Sequence, residues 1–148
     1  MPFPGDIIRF TLQRDLCVLS TSALDMPHAS LMAYAAEEDL SSLYMATPST
    51  TRKWANLSVN PNLAVLIDDR EQHAPRARAG THALTIGGKH VPVADPANAY
   101  RIVGLLTSRH PYLESFLAQP GIEIIRLKPR WCLLLPGTEE ARYINLET

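Results

Sequence analysis

The stretch that decides the fold is YMATPSTTRKWANLSVNP, residues 44–61. An apolar strand pattern leads into a turn with three consecutive hydroxyl side chains at residues 49–51, and the cations Arg52 and Lys53 follow directly. A helical pattern then begins and is stopped at Asn60-Pro61, because proline cannot continue a helix. The segment therefore predicts a strand, a tight turn and a short helix over residues 50–59.

The residues of this turn are suited to a phosphate monoester, which carries close to two negative charges. Thr50 and Thr51 offer hydroxyls, Arg52 can bind two oxygens at once, and Lys53 adds a point charge. A purely structural reading stays open, because Ser and Thr commonly cap helices and first-turn cations can simply be solvated. However, cations at a helix N-terminus oppose the helix dipole, and this favours an anionic ligand.

Length, composition and charge restrict the class of protein to which the chain can belong. The 148 residues predict one domain, 1–148, and 46% apolar with 20% charged residues is ordinary for a globular protein. A net charge of −1 argues against nucleic acid or a membrane as partner. The first residues lack a signal-peptide pattern, so we expect a cytoplasmic protein.

Cys17 and Cys132 lie in apolar runs and are expected to be reduced and buried, although a disulfide between them stays open. Metal-binding motifs are absent, and no metal site is predicted.

The rest of the chain reads mainly as strands. Asp6 could cap a helix over residues 6–13, and Asp95 with Pro96 predicts a second helix to about residue 108, followed by a short piece over 112–118. Short connections between the first three strands predict an antiparallel meander. Gly87-Gly88 indicates either a hairpin turn or a bulge in one long strand, and the bulge is the favoured interpretation. The predicted strands cover residues 16–21, 28–34, 43–47, 61–68, 83–93, 122–127 and 131–135, which favours a small β-barrel.

Four motifs resemble the FMN-binding split-barrel family, which includes pyridoxamine 5′-phosphate oxidase. They are HASLMAY (28–34), LYMAT (43–47), TRKWANL (51–57) and NPNLAVLI (60–67). The resemblance implies a mainly β fold, a small antiparallel split β-barrel of six or seven strands with a few flanking helices. It also implies a homodimer with FMN at the subunit interface. Where the oxidase has Arg and Lys on its second strand, this chain has Ser30 and Ala35, so flavin binding is implied more directly than pyridoxamine phosphate oxidation.

The resemblance assigns roles to particular positions. Thr51, Arg52 and Lys53 would hold the FMN phosphate, and Ala46 and Thr47 would line the phosphate and ribityl chain. A second set would contact the isoalloxazine or complete the site from the C-terminal region: Ser30, Leu31, Met32 and Ala33 through their backbone, then Trp131 and Arg142.

Two functions are predicted from this likeness. The first is a flavin-dependent oxidoreductase acting on a small molecule, with electrons from NAD(P)H or a substrate amine. The second is a non-enzymatic flavin carrier or sensor. A haem or deazaflavin binder on the same barrel is a further alternative, with His28 as the nearest candidate haem ligand.

Overall fold

The computed structural model describes residues 2–147, and within them one antiparallel sheet of eight strands curls around an apolar core. The mainly β, split-barrel prediction is confirmed, with one strand more than expected. The strands are β1 Leu16–Ala23, β2 Met26–Ala33, β3 Ala35–Ala36, β4 Leu43–Pro48, β5 Asn62–Asp68, β6 His82–His90, β7 Ile122–Pro136 and β8 Arg142–Asn145. The helices are α1 Gly5–Gln13, α2 Arg52–Val59, α3 Pro96–Arg109 and α4 Glu114–Leu117, with 3₁₀ turns at Arg70–Gln72, Pro75–Gly80 and Pro111–Leu113.

The order of the strands differs from the predicted meander. Along the sheet the strands run β2-β1-β5-β6-β7-β4-β3, and β8 pairs with β7. The predicted meander is wrong because β2 forms an edge of the sheet, whereas β4 pairs with β7, from the far end of the chain. Since β2 has a neighbour on one side only, the backbone groups on its other side have no strand partner.

The Gly87-Gly88 bulge is confirmed, and its extra residue lies on the partner strand. Gly87 pairs with Trp131 and Gly88 pairs with Pro129, so Arg130 has no opposite residue. The bulge also explains why β7 is one strand rather than the two predicted on either side of Pro129. A proline has no N–H to donate, but a bulge tolerates it because the ladder is already interrupted there.

The core fills the inside of the curled sheet. Alternate residues of β5, β6 and β7 are fully buried, as expected of strands with one face against a core; they include Ile67, Leu84, Ile86 and Ile125. A smaller cluster joins α3 to β3 and β4 through Ile102, Leu106, Ala35 and Tyr44. The sheet thus has one buried face, and part of its outer surface is covered by α3.

Two helix starts were predicted with caps, and one of them is correct. Asp95 accepts a hydrogen bond from the Ala97 N–H at 3.2 Å and begins α3, as the Asp-Pro pair predicted. The Asp6 cap is wrong: α1 begins one residue earlier, after Pro4, and Asp6 lies in its first turn. Among residues 2–147, no helix combines the length and hydrophobicity that crossing a bilayer would require.

Both cysteines are free thiols and buried, so they are not disulfide-bonded. Burial raises the pKa of the Cys17 thiol from 9.0 to about 12, and burial also raises the pKa of Cys132. At pH 8 the native Cys17 should therefore be roughly a thousandfold poorer in thiolate, the reactive form, than in the unfolded chain.

We therefore expect Ellman's reagent at pH 8 to label two thiols rapidly in urea and neither of them rapidly in the native protein. Rapid stoichiometric labelling of one native thiol would contradict this and would make that cysteine a candidate for redox chemistry.

Candidate functional site

The candidate site is built around the connection between β4 and α2, residues 48–51, which we call the β4–α2 turn. The Ser49 N–H donates to the Gly121 carbonyl at 2.8 Å, and this bond fixes the turn to the start of β7. Gly121 has φ of +79°, a left-handed conformation that glycine adopts without strain. Thr51 is the N-cap of α2 and has extended backbone angles. The predicted helix over 50–59 therefore begins at Arg52, two residues later than expected.

The threonine hydroxyls hold the turn together. The Thr47 and Thr51 Oγ1 atoms are 2.7 Å apart, and each hydroxyl also lies within hydrogen-bond distance of the Pro48 carbonyl. The Thr51 Oγ1 accepts from the Trp54 N–H at 3.5 Å, which is a long cap bond. Thr47 is almost fully buried, and its hydroxyl fixes the position of the Thr51 hydroxyl through this contact. Thr50 lies exposed in the turn.

Arg52 and Lys53 stand at the N-terminus of α2 without a counter-ion. Within residues 2–147, neither side chain takes part in a salt bridge or a hydrogen bond, and the first turn of α2 contains no acidic residue. Arg52 is exposed and Lys53 is half-buried. The first N–H groups of a helix have no partner inside the helix and carry a partial positive charge. The turn thus presents two cations and several N–H donors to solvent.

The other predicted residues lie on the strands β2 and β4. Helix α2 lies against β1 and β2, and its Asn56 side chain donates to Thr21 Oγ1 at 3.1 Å in a buried hydrogen bond. Ser30, Leu31, Met32 and Ala33 all belong to the edge strand β2, and they pair on one side with residues 16–19 of β1. Leu31 is 69% exposed, whereas its neighbour Met32 is buried. Ala46 belongs to β4, next to Thr47. Helix α2 therefore packs on β1 and β2, and Ala46 with Thr47 leads directly into the β4–α2 turn.

Trp131 and Arg142 lie elsewhere in the same chain. Thr47 pairs with Glu123 of β7, and Trp131 is eight residues further along that strand, roughly 26 Å at about 3.3 Å per residue. The Trp131 indole stacks on Tyr143, with ring centroids 6.0 Å apart, and covers Gly87. Trp131 thus lies beyond the β4 pairing region, on the part of β7 that pairs with β6 and β8.

The guanidinium of Arg142 is already occupied. It forms a salt bridge of 2.6 Å with the Asp6 carboxylate, joining β8 to α1. The Arg142 side chain holds the pKa of Asp6 below its usual range, mainly through this hydrogen bond. For Arg142 to bind a ligand it would have to leave Asp6, and nothing in the sequence indicated this competition between residues 136 positions apart.

Some polar residues near the site were not predicted from the sequence. Asn56 fixes α2 to β1, and Glu37 receives hydrogen bonds from Arg101 at 2.6 Å and from Tyr44 at 2.8 Å behind β4. The Arg101 guanidinium beside Glu37 holds the pKa of that carboxyl low, so it stays ionised. The Trp54 ring packs edge-on against His90, with ring centroids 5.5 Å apart. Residues 2–147 contain no group of His, Cys, Asp and Glu that could hold a metal ion.

Comparison with known proteins identifies the family. The family model for pyridoxamine 5′-phosphate oxidase matches residues 5–135, most of the chain. The chain belongs to the pyridoxamine 5′-phosphate oxidase family. The match includes the β4–α2 turn and the edge strand β2, but it ends before Arg142. No curated protein sequence is significantly similar to the chain.

Solved structures of proteins with different described functions share this fold. A haem-binding protein from Mycobacterium smegmatis superposes with a TM-score of 0.83 at 11% identity, over 98% of this chain and 60% of its own length. HutZ, a haem storage protein from Vibrio cholerae, superposes with a TM-score of 0.71 at 18% identity, over 87% of this chain and 91% of its own length. A candidate pyridoxamine 5′-phosphate oxidase from Listeria innocua superposes with a TM-score of 0.65 at 22% identity, over 95% of this chain and 96% of its own length. At these identities the likeness establishes the fold alone.

Proposed function

We propose that this protein binds FMN through the phosphate at the β4–α2 turn and uses it as an oxidoreductase acting on a small molecule. The observation that carries the proposal is the pair Arg52 and Lys53, which has no counter-ion in residues 2–147 and stands at a helix N-terminus. A phosphate there would satisfy the two cations and the first N–H groups of α2 together.

The neighbouring residues fit the rest of the cofactor. Thr51, Arg52 and Lys53 would hold the phosphate, with the exposed hydroxyl of Thr50 beside them, and Ala46 with Thr47 would face the ribityl chain. The outer edge of β2, residues 30–33, offers backbone donors and acceptors of the kind that a flavin ring edge needs. When bound, the flavin would supply the electron transfer, and the protein would bind, orient and tune it.

A homodimer would complete this site. One row of side chains crosses the outer face of the sheet and is largely apolar; in strand order it comprises Leu31, Val18, Leu66, Thr85, Leu133 and Tyr143. Leu31 and Tyr143 are 69% and 63% exposed and stand at the two ends of this row, so the exposed apolar surface is continuous across the sheet, as at interaction sites. We assign this row to a second copy, because pairing would bring the partner's Trp131 face to the first copy's β2 and α2.

We therefore expect Leu31→Glu to convert a dimer into a monomer and to weaken FMN binding at the same time, since a carboxylate would be buried in an apolar interface. Leu24→Glu is the matched control, because Leu24 is 91% exposed at the β1–β2 turn, outside the row. Sedimentation equilibrium measures the mass of each variant. A Leu31→Glu protein that stays dimeric and keeps its flavin would contradict this assignment.

The protein reconstituted with FMN can distinguish the enzyme hypothesis from the carrier hypothesis. We expect NADH, NADPH or a primary amine substrate to reduce the bound flavin anaerobically, and bleaching of its absorption near ~450 nm measures this. Bound flavin that no such donor reduces would support the carrier or sensor alternative.

A haem or deazaflavin binder is the second candidate. It is favoured by the structural likeness to a haem-binding protein and to the haem storage protein HutZ. His28 lies on the edge strand β2, and its Nδ1 is 3.5 Å from Ser30 Oγ, so a haem at this edge would have an imidazole nearby. A deazaflavin phosphate would use the same turn as FMN.

A further inference from the structure

A pocket of about 430 Å³ lies on the side of α2 that faces α3. Trp54 and Leu57 from α2 form one wall, and Val93 with Ala99 from the start of α3 forms another. The floor is the first part of β7, Ile122–Ile124. None of the residues predicted to contact FMN lines this pocket, but its floor pairs with the end of β4, so the pocket is a neighbour of the β4–α2 turn. Its volume falls in the range of small-molecule sites.

One buried polar side chain, His90, lines this mainly apolar pocket. His90 is 8% exposed, and its Nδ1 accepts a hydrogen bond from the Arg126 N–H at 3.2 Å. A neutral imidazole that accepts at Nδ1 carries its proton at Nε2. Burial lowers the pKa of His90, which keeps the ring neutral at pH 7. Within residues 2–147 the Nε2–H donates to no protein acceptor, and it is not one of the fully enclosed polar atoms, so it is available to water or to a ligand in the pocket.

The position of this donor is fixed by its neighbours. The His90 N–H donates to the Pro61 carbonyl at 2.8 Å, and the Trp54 ring meets the imidazole edge-on at 5.5 Å. The Arg126 guanidinium donates to the carbonyls of Val91 and Pro92 at 3.0 and 2.8 Å and so holds the segment after His90. A donor held in this way can select ligands by the position of their acceptor atom.

We propose that this pocket binds a small, uncharged, planar ring compound whose carbonyl oxygen or ring nitrogen accepts a hydrogen bond from His90 Nε2–H. The ring would lie against Trp54 and the aliphatic walls, where its apolar surface leaves water. Glu123 lines the same pocket, and its carboxylate disfavours anionic ligands of the same size. The pocket shares no lining residue with the proposed FMN site but borders it, since Trp54 follows Lys53 directly and Glu123 pairs with Thr47.

Benzamide is the test probe and benzoate its charged counterpart of the same shape. In ¹⁵N-resolved NMR of the full chain, we expect benzamide to shift the Trp54 indole and His90 ring signals saturably, with a Kd on the order of 1 mM. The His90 Nε2 signal should move in the direction of a new hydrogen bond. Benzoate should bind at least about tenfold more weakly. Absence of a saturable shift, an unmoved Nε2 signal or equal binding of benzoate would overturn the proposal.

A pair of variants on one helix locates the binding. Ala99 lines the pocket, so Ala99→Phe should fill it and weaken benzamide binding at least about tenfold. Ala97→Phe places the same ring two residues earlier, at an exposed position outside the pocket, and should bind benzamide as the wild type does. Unchanged affinity in a folded Ala99→Phe protein would overturn the proposal, and if that variant fails to fold, the Nε2 signal of the wild type decides.

Discussion

Replacing Arg52 and Lys53 together by alanine is expected to weaken FMN binding roughly a hundredfold or more. Each hydrogen bond to a charged group contributes about 1.5–3 kcal/mol, and the phosphate would lose one or more from each side chain. Riboflavin, which lacks the phosphate, should bind the wild type and the variant equally. Fluorescence titration of the apoprotein with both flavins measures the two affinities.

A control variant separates a local effect from a change of net charge. Arg9→Ala with Arg76→Ala also removes two positive charges, from exposed positions on α1 and in the Pro75–Gly80 turn. This variant should keep the FMN affinity of the wild type. If the Arg52 and Lys53 variant also keeps it, the phosphate does not lie at the β4–α2 turn, and the assignment of the cofactor residues is wrong.

Replacing Gly88 by alanine is expected to destabilise the fold strongly. A Cβ at Gly88 would lie 2.0 Å from the Lys128 carbonyl oxygen and 3.0 Å from Pro129 Cα, and these backbone atoms of β7 cannot move without opening the β6–β7 pairing. Overpacking against backbone costs about 3 kcal/mol or more. For a domain of this size each kcal/mol lowers Tm by about 2–4 °C, so a fall of roughly 6–12 °C should be seen by circular dichroism.

Gly104→Ala is the matched control for this prediction. Gly104 is exposed within α3, and a Cβ there would meet no atom within 4 Å. Because alanine is favoured over glycine inside a helix by about 0.5–1 kcal/mol, this substitution should raise Tm slightly. A Gly88→Ala protein whose Tm lies within a degree of the wild-type Tm would show that the bulge is looser than described.

Local patterns predicted the parts of the molecule that depend on neighbouring residues. The β4–α2 turn, the Asp95 cap and the bulge at Gly87-Gly88 each follow from short-range chemistry, and the structure contains all three. The two strands predicted on either side of Pro129 form one strand, because the bulge at Arg130 accommodates the proline. Strand β8 was missed because it has only four residues, Arg142–Asn145, and is stabilised by pairing with β7.

The relations between distant segments were not predictable in the same way. The pairing of β4 with β7, rather than with β2, decides which side chains meet at the turn. The salt bridge between Arg142 and Asp6 joins residues from opposite ends of the chain. The His90 pocket draws residues from several separate segments, none of which forms a motif by itself. One sequence contains periodicity and capping signals, but it does not specify the partner of each strand.

The most direct test of the central claim is a competition between cofactors. The apoprotein is incubated with equal amounts of FMN and haemin, desalted, and its visible spectrum recorded. Phosphate binding at Arg52 and Lys53 predicts bands near ~370 and ~450 nm and one flavin per chain. A Soret band near ~400 nm without flavin absorption would contradict the account and would identify the protein as a haem binder on the same fold.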